Sequence, residues 1–266
     1  MNDAPLGVFD SGIVGLTVAR ALFERLPHEA VLYFGDTARV PYGPKSPETV
    51  RRYSAEILAY LIGRGVKAVV VACNTSTAHA LDHLRSRASV PVVGVIEPGA
   101  RAAVAASRSG TIGVIGTVGT VASGAYERAI KGLRPDATVV SAACPLFVPL
   151  VEEGWFDHPA AELIARDYLE PLRRSGVDVV VLGCTHYPLL KPLLQRVLGA
   201  GVQLIDSAEE TAAQVVKELA ARDLAASARP RPEHVFAVSD DEPRFRRVGE
   251  RFLGERLKQV SVVPLG

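Results

Sequence analysis

The stretch Ala68-Val69-Val70-Val71-Ala72-Cys73-Asn74-Thr75 decides the fold, because it has a near twin further along, Val179-Val180-Val181-Leu182-Gly183-Cys184-Thr185. Each is an unbroken apolar run rich in β-branched residues. Each ends in a cysteine followed by a small hydroxylated or amide residue. A run with no polar alternation predicts a strand buried on both faces, which is the signature of a parallel sheet covered by helices. A second pair of twins lies upstream. Gly7-Val8-Phe9-Asp10-Ser11-Gly12 precedes the first cysteine, and Gly113-Val114-Ile115-Gly116-Thr117-Val118-Gly119 precedes the second.

Working outward, short apolar runs alternate with longer amphipathic stretches. Strands are predicted over 6–9, 31–34, 68–72 and 92–95, with helices over 16–26, 47–64 and 76–87. A second set begins near Glu97, with strands over 111–115, 138–141, 177–182 and 202–205 and helices between them. The segment Arg229-Pro230-Arg231-Pro232 reads as a linker. A strand over 235–238, a helix over 243–253 and a strand over 260–263 follow it. The pattern predicts an α/β protein of two similar α/β domains with mostly parallel sheets, related by a pseudo-twofold axis. Open parallel sheets bind ligands beyond the carboxyl ends of their strands. Both cysteines sit there, so the active site is expected in the cleft between the domains.

Composition narrows the function. The chain has 266 residues, 48% hydrophobic and 22% charged, with a formal net charge of +1. No like-charge block suggests a nucleic-acid face. No apolar run approaches the roughly 20 residues that span a bilayer. The opening Met1-Asn2-Asp3-Ala4-Pro5 has no basic region ahead of an apolar stretch, so a cytoplasmic location is expected. Three cysteines in a chain of this length point to free thiols rather than a disulfide framework.

Paired thiols suit one reaction class in particular. Racemising an amino acid removes the Cα proton from one face and returns a proton to the other. Two groups, one deprotonated and one protonated, achieve this without turning the substrate over. A free thiol with pKa near 8.5 is only about 3% thiolate at pH 7. Both cysteines are expected to precede helices, whose N-termini would lower the thiol pKa. Asp10 and His186 are candidate proton handlers. Ser11, Asn74, Thr75, Thr117, Thr120 and Thr185 are candidate donors to substrate carboxylates. Asp10 could pair with a substrate ammonium, and the Pro41-Tyr42-Gly43 turn could offer backbone to a second carboxylate.

Several longer stretches carry a family resemblance. Gly7-Val8-Phe9-Asp10-Ser11-Gly12-Ile13-Val14-Gly15 resembles the opening of glutamate racemases. Phe34-Gly35-Asp36-Thr37-Ala38-Arg39-Val40-Pro41-Tyr42-Gly43 is similar to their second motif. Ala72-Cys73-Asn74-Thr75 and Gly183-Cys184-Thr185-His186-Tyr187-Pro188-Leu189 resemble the two cysteine signatures of the aspartate/glutamate racemase family. The run from Cys144 to Gly154 is similar to a further family segment. The resemblance implies cofactor-independent interconversion of L- and D-glutamate, supplying D-glutamate to peptidoglycan. It implies that Cys73 deprotonates D-glutamate and Cys184 L-glutamate. Asp10 would assist at Cys73, with Glu152 and His186 at Cys184. Asp10, Ser11, Tyr42, Gly43, Asn74, Thr75, Thr185 and His186 would contact substrate. It also implies two domains, 1–96 with 208–266 and 97–207, and a homodimer; Cys/His spacing, charge and hydropathy give no expectation of a metal, nucleic-acid or membrane partner.

Other readings weigh less. Cys144 has no matching partner and is expected to be structural. A metal site using Cys73, His79, Cys184 and His186 lacks the close pairing of zinc ligands. No C-x-x-C supports a redox role, and Gly113-x-x-Gly116-x-x-Gly119 is not a dinucleotide fingerprint. Those glycines are expected to allow a close turn around substrate. Asp36 and His79 are expected to be structural, with packing as the alternative role for the Tyr42 ring. Of Glu152 and Glu153, adjacent on a helix, only one can face a site. An aspartate racemase, a related decarboxylase, an amino-acid binder and a pyridoxal enzyme remain as competing functions.

Overall fold

A computed structural model of the chain describes residues 2–228, 232–254 and 257–265. Of the predicted linker, residues 229–231 lie outside the described residues. The chain divides into two compact units, Met1–Val95 with Ala208–Gly266, and Ile96–Ser207.

In chain order, the first unit opens with β1 (Leu6–Asp10), α1 (Leu16–Arg25), β2 (Val31–Gly35), α2 (Pro47–Gly63), β3 (Ala68–Val71), α3 (Asn74–Arg87) and β4 (Val92–Gly94). The second unit supplies α4 (Ile96–Ala106), β5 (Thr111–Gly116), α5 (Val118–Ala122), α6 (Ala125–Leu133), β6 (Thr138–Ala143), α7 (Phe147–Glu152), α8 (Pro159–Arg174) and β7 (Val179–Gly183). A 3-10 turn over Tyr187–Leu190, α9 (Lys191–Leu198) and β8 (Gln203–Ile205) complete it. The chain then runs through α10 (Ser207–Ala221), β9 (Val235–Val238), α11 (Glu242–Leu253) and β10 (Val260–Val262).

The first unit carries a six-stranded sheet in the order β10-β9-β2-β1-β3-β4. The second carries a four-stranded sheet in the order β6-β5-β7-β8. Every strand pair described is parallel. The sequence echo has a topological counterpart: β2-β1-β3-β4 and β6-β5-β7-β8 are the same order. In each, β1 or β5 marks the point where the winding reverses, and the cysteine-bearing strand is its neighbour.

The continuous apolar runs are explained by two-sided burial. In the first unit Leu6, Val8, Tyr33, Ala68 and Val70 pack against α1, α10 and α11. Their neighbours Phe9, Leu32, Phe34, Val69 and Val71 pack on the other face against α2 and α3. Each fully buried aliphatic or aromatic side chain contributes about 1.5–3 kcal/mol of transfer free energy. In the second unit Val180 and Leu182 join Ala161, Ala165, Leu169 and Leu172 of α8 and Leu193, Leu194 and Val197 of α9.

Three local expectations are corrected. Helix α3 starts at Asn74 rather than Ser76, because Cys73 is its N-cap: the Cys73 sulfur accepts from the Ser76 N–H. Strand β7 starts at Val179 rather than Val177, because Asp178 turns its carboxylate to the Ser107–Ser109 segment. Gly113 makes no turn around substrate. It lies in mid-strand, where a Cβ would come 2.7 Å from Leu172 Cδ2, so its role is to admit α8 onto the sheet. No helix among the described residues is long and apolar enough to cross a membrane.

Candidate active site

In the first unit the site residues gather at the carboxyl ends of β1 and β3. Asp10 ends β1 and is wholly buried. Its Oδ2 accepts from the N–H groups of Gly12 at 3.0 Å and Gly15 at 3.2 Å, at the start of α1. The Tyr33 hydroxyl donates to the Gly12 carbonyl at 2.9 Å and holds the turn around the carboxylate. Gly15 must be glycine here, since a Cβ would lie 2.3 Å from Asp10 Cβ. Asp10 is therefore engaged by its own backbone turn, a role beyond the pairing with a substrate ammonium that the sequence suggests.

Cys73 packs with Tyr42, Val50 and Tyr53 and is 4% exposed. Asn74 and Thr75 open α3 and are also buried. The helix N-terminus does not depress the thiol pKa, contrary to the sequence expectation. Burial, followed by the Asp10 carboxylate, pushes it up to about 11; the Ser76 N–H and the Ser76 and Ser11 hydroxyls oppose this only in part. Desolvation outweighs the helix end because the thiolate would sit in a closed apolar pocket beside a like charge.

The Tyr42 ring is a packing group, as its 1% exposure and its contact with Tyr53 show. Its hydroxyl donates to Asp36 Oδ2. Asp36 also receives Arg39 Nε at 2.8 Å and the Ser239 hydroxyl at 2.8 Å. Arg39 reaches Glu56 and lies over the Tyr53 ring. Asp36 thus fixes the loop that carries Tyr42 and the buried Gly43. His79 lends its carbonyl to Arg51.

In the second unit Cys184 immediately follows β7 and is 7% exposed. It leads into Thr185, His186 and the 3-10 turn, not into an α-helix, so here, unlike at Cys73, the expected helix N-terminus is absent. What the turn does is fold His186 back. His186 Nδ1 lies 3.7 Å from Cys184 Sγ, and Nε2 lies 3.2 Å from Glu152 Oε1. The Tyr187 hydroxyl donates to the Cys144 carbonyl at 2.9 Å, and its ring meets Phe147 edge-on, which anchors the turn to α7. With Glu152 accepting from Nε2–H, Nδ1 presents its lone pair to the thiol. Glu153 is the C-cap of α7 and is exposed.

Thr117 is the N-cap of α5. Its hydroxyl accepts from the Thr120 N–H at 3.2 Å and donates to the Thr120 hydroxyl at 3.0 Å. Both lie at the end of β5, which neighbours β7. Cys144 is fully buried at the end of β6, its sulfur near the Ala142 carbonyl at 3.6 Å, and burial pushes its thiol up. Among the described residues no cluster of three or more His, Cys, Asp or Glu side chains is placed to hold a metal ion. Ser76 was outside the set drawn from the sequence. The signal that marks it is a hydroxyl three residues after a capping cysteine.

Comparison with known proteins bears on the whole chain. The sequence model of Asp/Glu/hydantoin racemases matches residues 15–215. A glutamate racemase of Geobacter metallireducens is 55% identical over 260 residues, covering 98% of this chain and 96% of that protein. A crystal structure of a glutamate racemase isoform from Bacillus anthracis is similar with a TM-score of 0.95 at 41% identity, covering 99% of this chain and 98% of that one. A glutamate racemase of Francisella tularensis, solved in complex with D-glutamate, has a TM-score of 0.92 at 37% identity, with 99% and 98% covered.

Proposed function

This chain belongs to the Asp/Glu/hydantoin racemase family, and from that premise we propose that it interconverts L- and D-glutamate without a cofactor, through Cys73 and Cys184 as paired acid and base. The observation that carries the reading is the matched placement of the two thiols. Each follows the strand next to the reversal point of its own sheet; Cys184 has His186 Nδ1 at 3.7 Å from its sulfur, and Cys73 has the Asp10 carboxylate near enough to act on its charge.

In the L-to-D direction, the Cys184 thiol first passes its proton to His186 Nδ1, with Glu152 holding the imidazole in the required tautomer. The thiolate takes the Cα proton of L-glutamate and becomes a thiol. The Cys73 thiol, kept protonated by burial and by Asp10, delivers its proton to the opposite face of Cα. D-glutamate leaves, and the two sulfurs have exchanged protonation states. His186 then gives up the proton it received and the Cys73 thiolate takes one up, which restores the starting form. The D-to-L direction runs the same steps backwards, with Cys73 as base. Ser11, Tyr42, Gly43, Asn74, Thr75, Thr117, Thr120, Thr185 and His186 are assigned to substrate contact, with Asp10 beside them. The product is proposed to feed peptidoglycan synthesis in the cytoplasm, and the active form is proposed to be a homodimer.

The test is incubation of pyridoxal-free protein with L-glutamate in D2O, following chirality and Cα deuterium together. D-glutamate labelled at Cα supports the reading. Absence of exchange into any acidic amino acid overturns it, and exchange into aspartate alone moves the substrate assignment to that amino acid.

A further inference from the structure

We infer that the Ser76 hydroxyl is a thiolate-stabilising, positioning group for Cys73, one that turns to donate to the sulfur when the thiol loses its proton. The inference rests on the racemase reading for the catalytic role of Cys73, but not for the hydrogen bond itself.

The argument starts from helix geometry. Cys73 is the N-cap of α3 and Ser76 is three residues on, the two positions whose side chains meet in a capping box. The Ser76 N–H already reaches Cys73 Sγ at 3.4 Å. The Ser76 side chain is fully buried, and its Oγ makes no hydrogen bond of ordinary geometry to any described residue; the group it bears on is the Cys73 sulfur, whose charged form it would stabilise. A buried hydroxyl left in that state destabilises the fold. The sulfur it faces is a weak acceptor as a thiol and a strong one as a thiolate. The orphan is therefore a donor held in reserve for the deprotonated state.

The surroundings make such a donor necessary. The charged and titratable groups around Cys73 are Asp10 from β1, Tyr33 from β2 and Tyr42 from the following loop, with Asp36 and Arg39 behind Tyr42. Burial holds both tyrosines protonated. Asp10 is a like charge for the thiolate. The groups that oppose it are the Ser76 N–H and the Ser76 and Ser11 hydroxyls. Removing the Ser76 hydroxyl takes away one of these and raises the thiol pKa.

The test compares the full chain with its Ser76→Ala variant. Iodoacetamide alkylation of Cys73 is followed by peptide mass spectrometry across pH, with Cys144 in the same digest as a monitor of general opening. The expected result is an about tenfold slower alkylation of Cys73 at fixed pH, an upward shift of about one pH unit. The urea midpoint should be unchanged or higher, because an unsatisfied hydroxyl has been removed. The acidic limb of kcat/KM for D-glutamate should move up with it. Ser76→Thr, which keeps the hydroxyl, should restore the Cys73 rate. An unchanged Cys73 rate overturns the inference, and so does a lower urea midpoint with an unmoved pH profile, which marks a structural residue. If the rate falls as expected in a chain that does not racemise glutamate, the hydrogen bond stands and the racemase reading fails.

Discussion

His186 Nε2 stands 3.2 Å from Oε1 of Glu152, a residue 34 positions earlier, and this contact sets which way the imidazole presents itself to Cys184. A carboxylate at Nε2 favours the tautomer with the proton on Nε2 and leaves Nδ1 free to accept from the thiol at 3.7 Å. In Glu152→Gln the amide can donate to Nε2 instead and admit the wrong tautomer. The expected effect is a fall in kcat from L-glutamate of about 10- to 100-fold with KM little changed, the lower end reflecting a partly exposed glutamate. Chirality assays at saturating substrate measure it. A kcat within twofold of the parent would remove Glu152 from the proton path.

The two thiols separate in an isotope experiment. In Cys184→Ser, Cys73 remains to exchange the Cα proton of D-glutamate with solvent. In Cys73→Ser, Cys184 remains to exchange that of L-glutamate. Racemisation should fall by about 10³-fold or more in both, since losing one acid/base group is worth about 10²–10⁴. Deuterium wash-in should then be stereospecific, each variant labelling one enantiomer in place. Labelling of the same enantiomer by both variants would reverse or dissolve the assignment of faces.

Much of this was readable from sequence, for an identifiable reason. Val69–Val71 and Val179–Leu182 are buried on both faces, so their apolar runs carry no alternation and announce parallel strands directly. The cysteines are visible because each run stops at one. What could not be read depends on environment. The helix end predicted a lowered thiol pKa at Cys73, and burial with Asp10 reversed the sign. The helix expected after Cys184 proved to be a 3-10 turn, whose tight path is what returns His186 to the sulfur. Asp10 looked like a substrate ligand, while its clasp by Gly12 and Gly15 depends on a turn that only three-dimensional structure displays.

A buried ion pair ties the first unit together. Lys67 Nζ lies 2.5 Å from Glu29 Oε2 and 2.6 Å from the Asn2 carbonyl, and Glu29 Oε1 accepts from the Ala226 N–H at 2.8 Å. The pair thus joins the N-terminal strand region to the segment that follows α10. Both side chains are nearly inaccessible. Lys67→Met strands a buried carboxylate and is expected to cost about 3–5 kcal/mol, read from urea denaturation. The double variant with Glu29→Leu should recover part of that loss. A single-variant cost below about 1 kcal/mol would show that water reaches the pair.

Asp178 gives the second unit a pH dependence of known sign. Its carboxylate accepts from the Ser107 hydroxyl and from the Arg108 and Ser109 N–H groups, each at 2.7 Å, and these bonds hold its pKa at about 2 against an ordinary 3.8. A folded-state pKa below the unfolded one means that the unfolded chain binds the proton more readily. The stabilisation is therefore complete above pH 3.8, and is lost as pH falls from there through about 2. The full shift would correspond to about 2.4 kcal/mol, but the group is part-exposed and solvent screening reduces this to about 1 kcal/mol. Asp178→Asn should accordingly be less stable than the parent by about that amount at pH 6. The gap should narrow steadily as the pH is lowered from 4 towards 2 in urea titrations. A gap that stays constant with pH would mean that the amide loses packing rather than charge, and that the three hydrogen bonds do not discriminate between the protonation states.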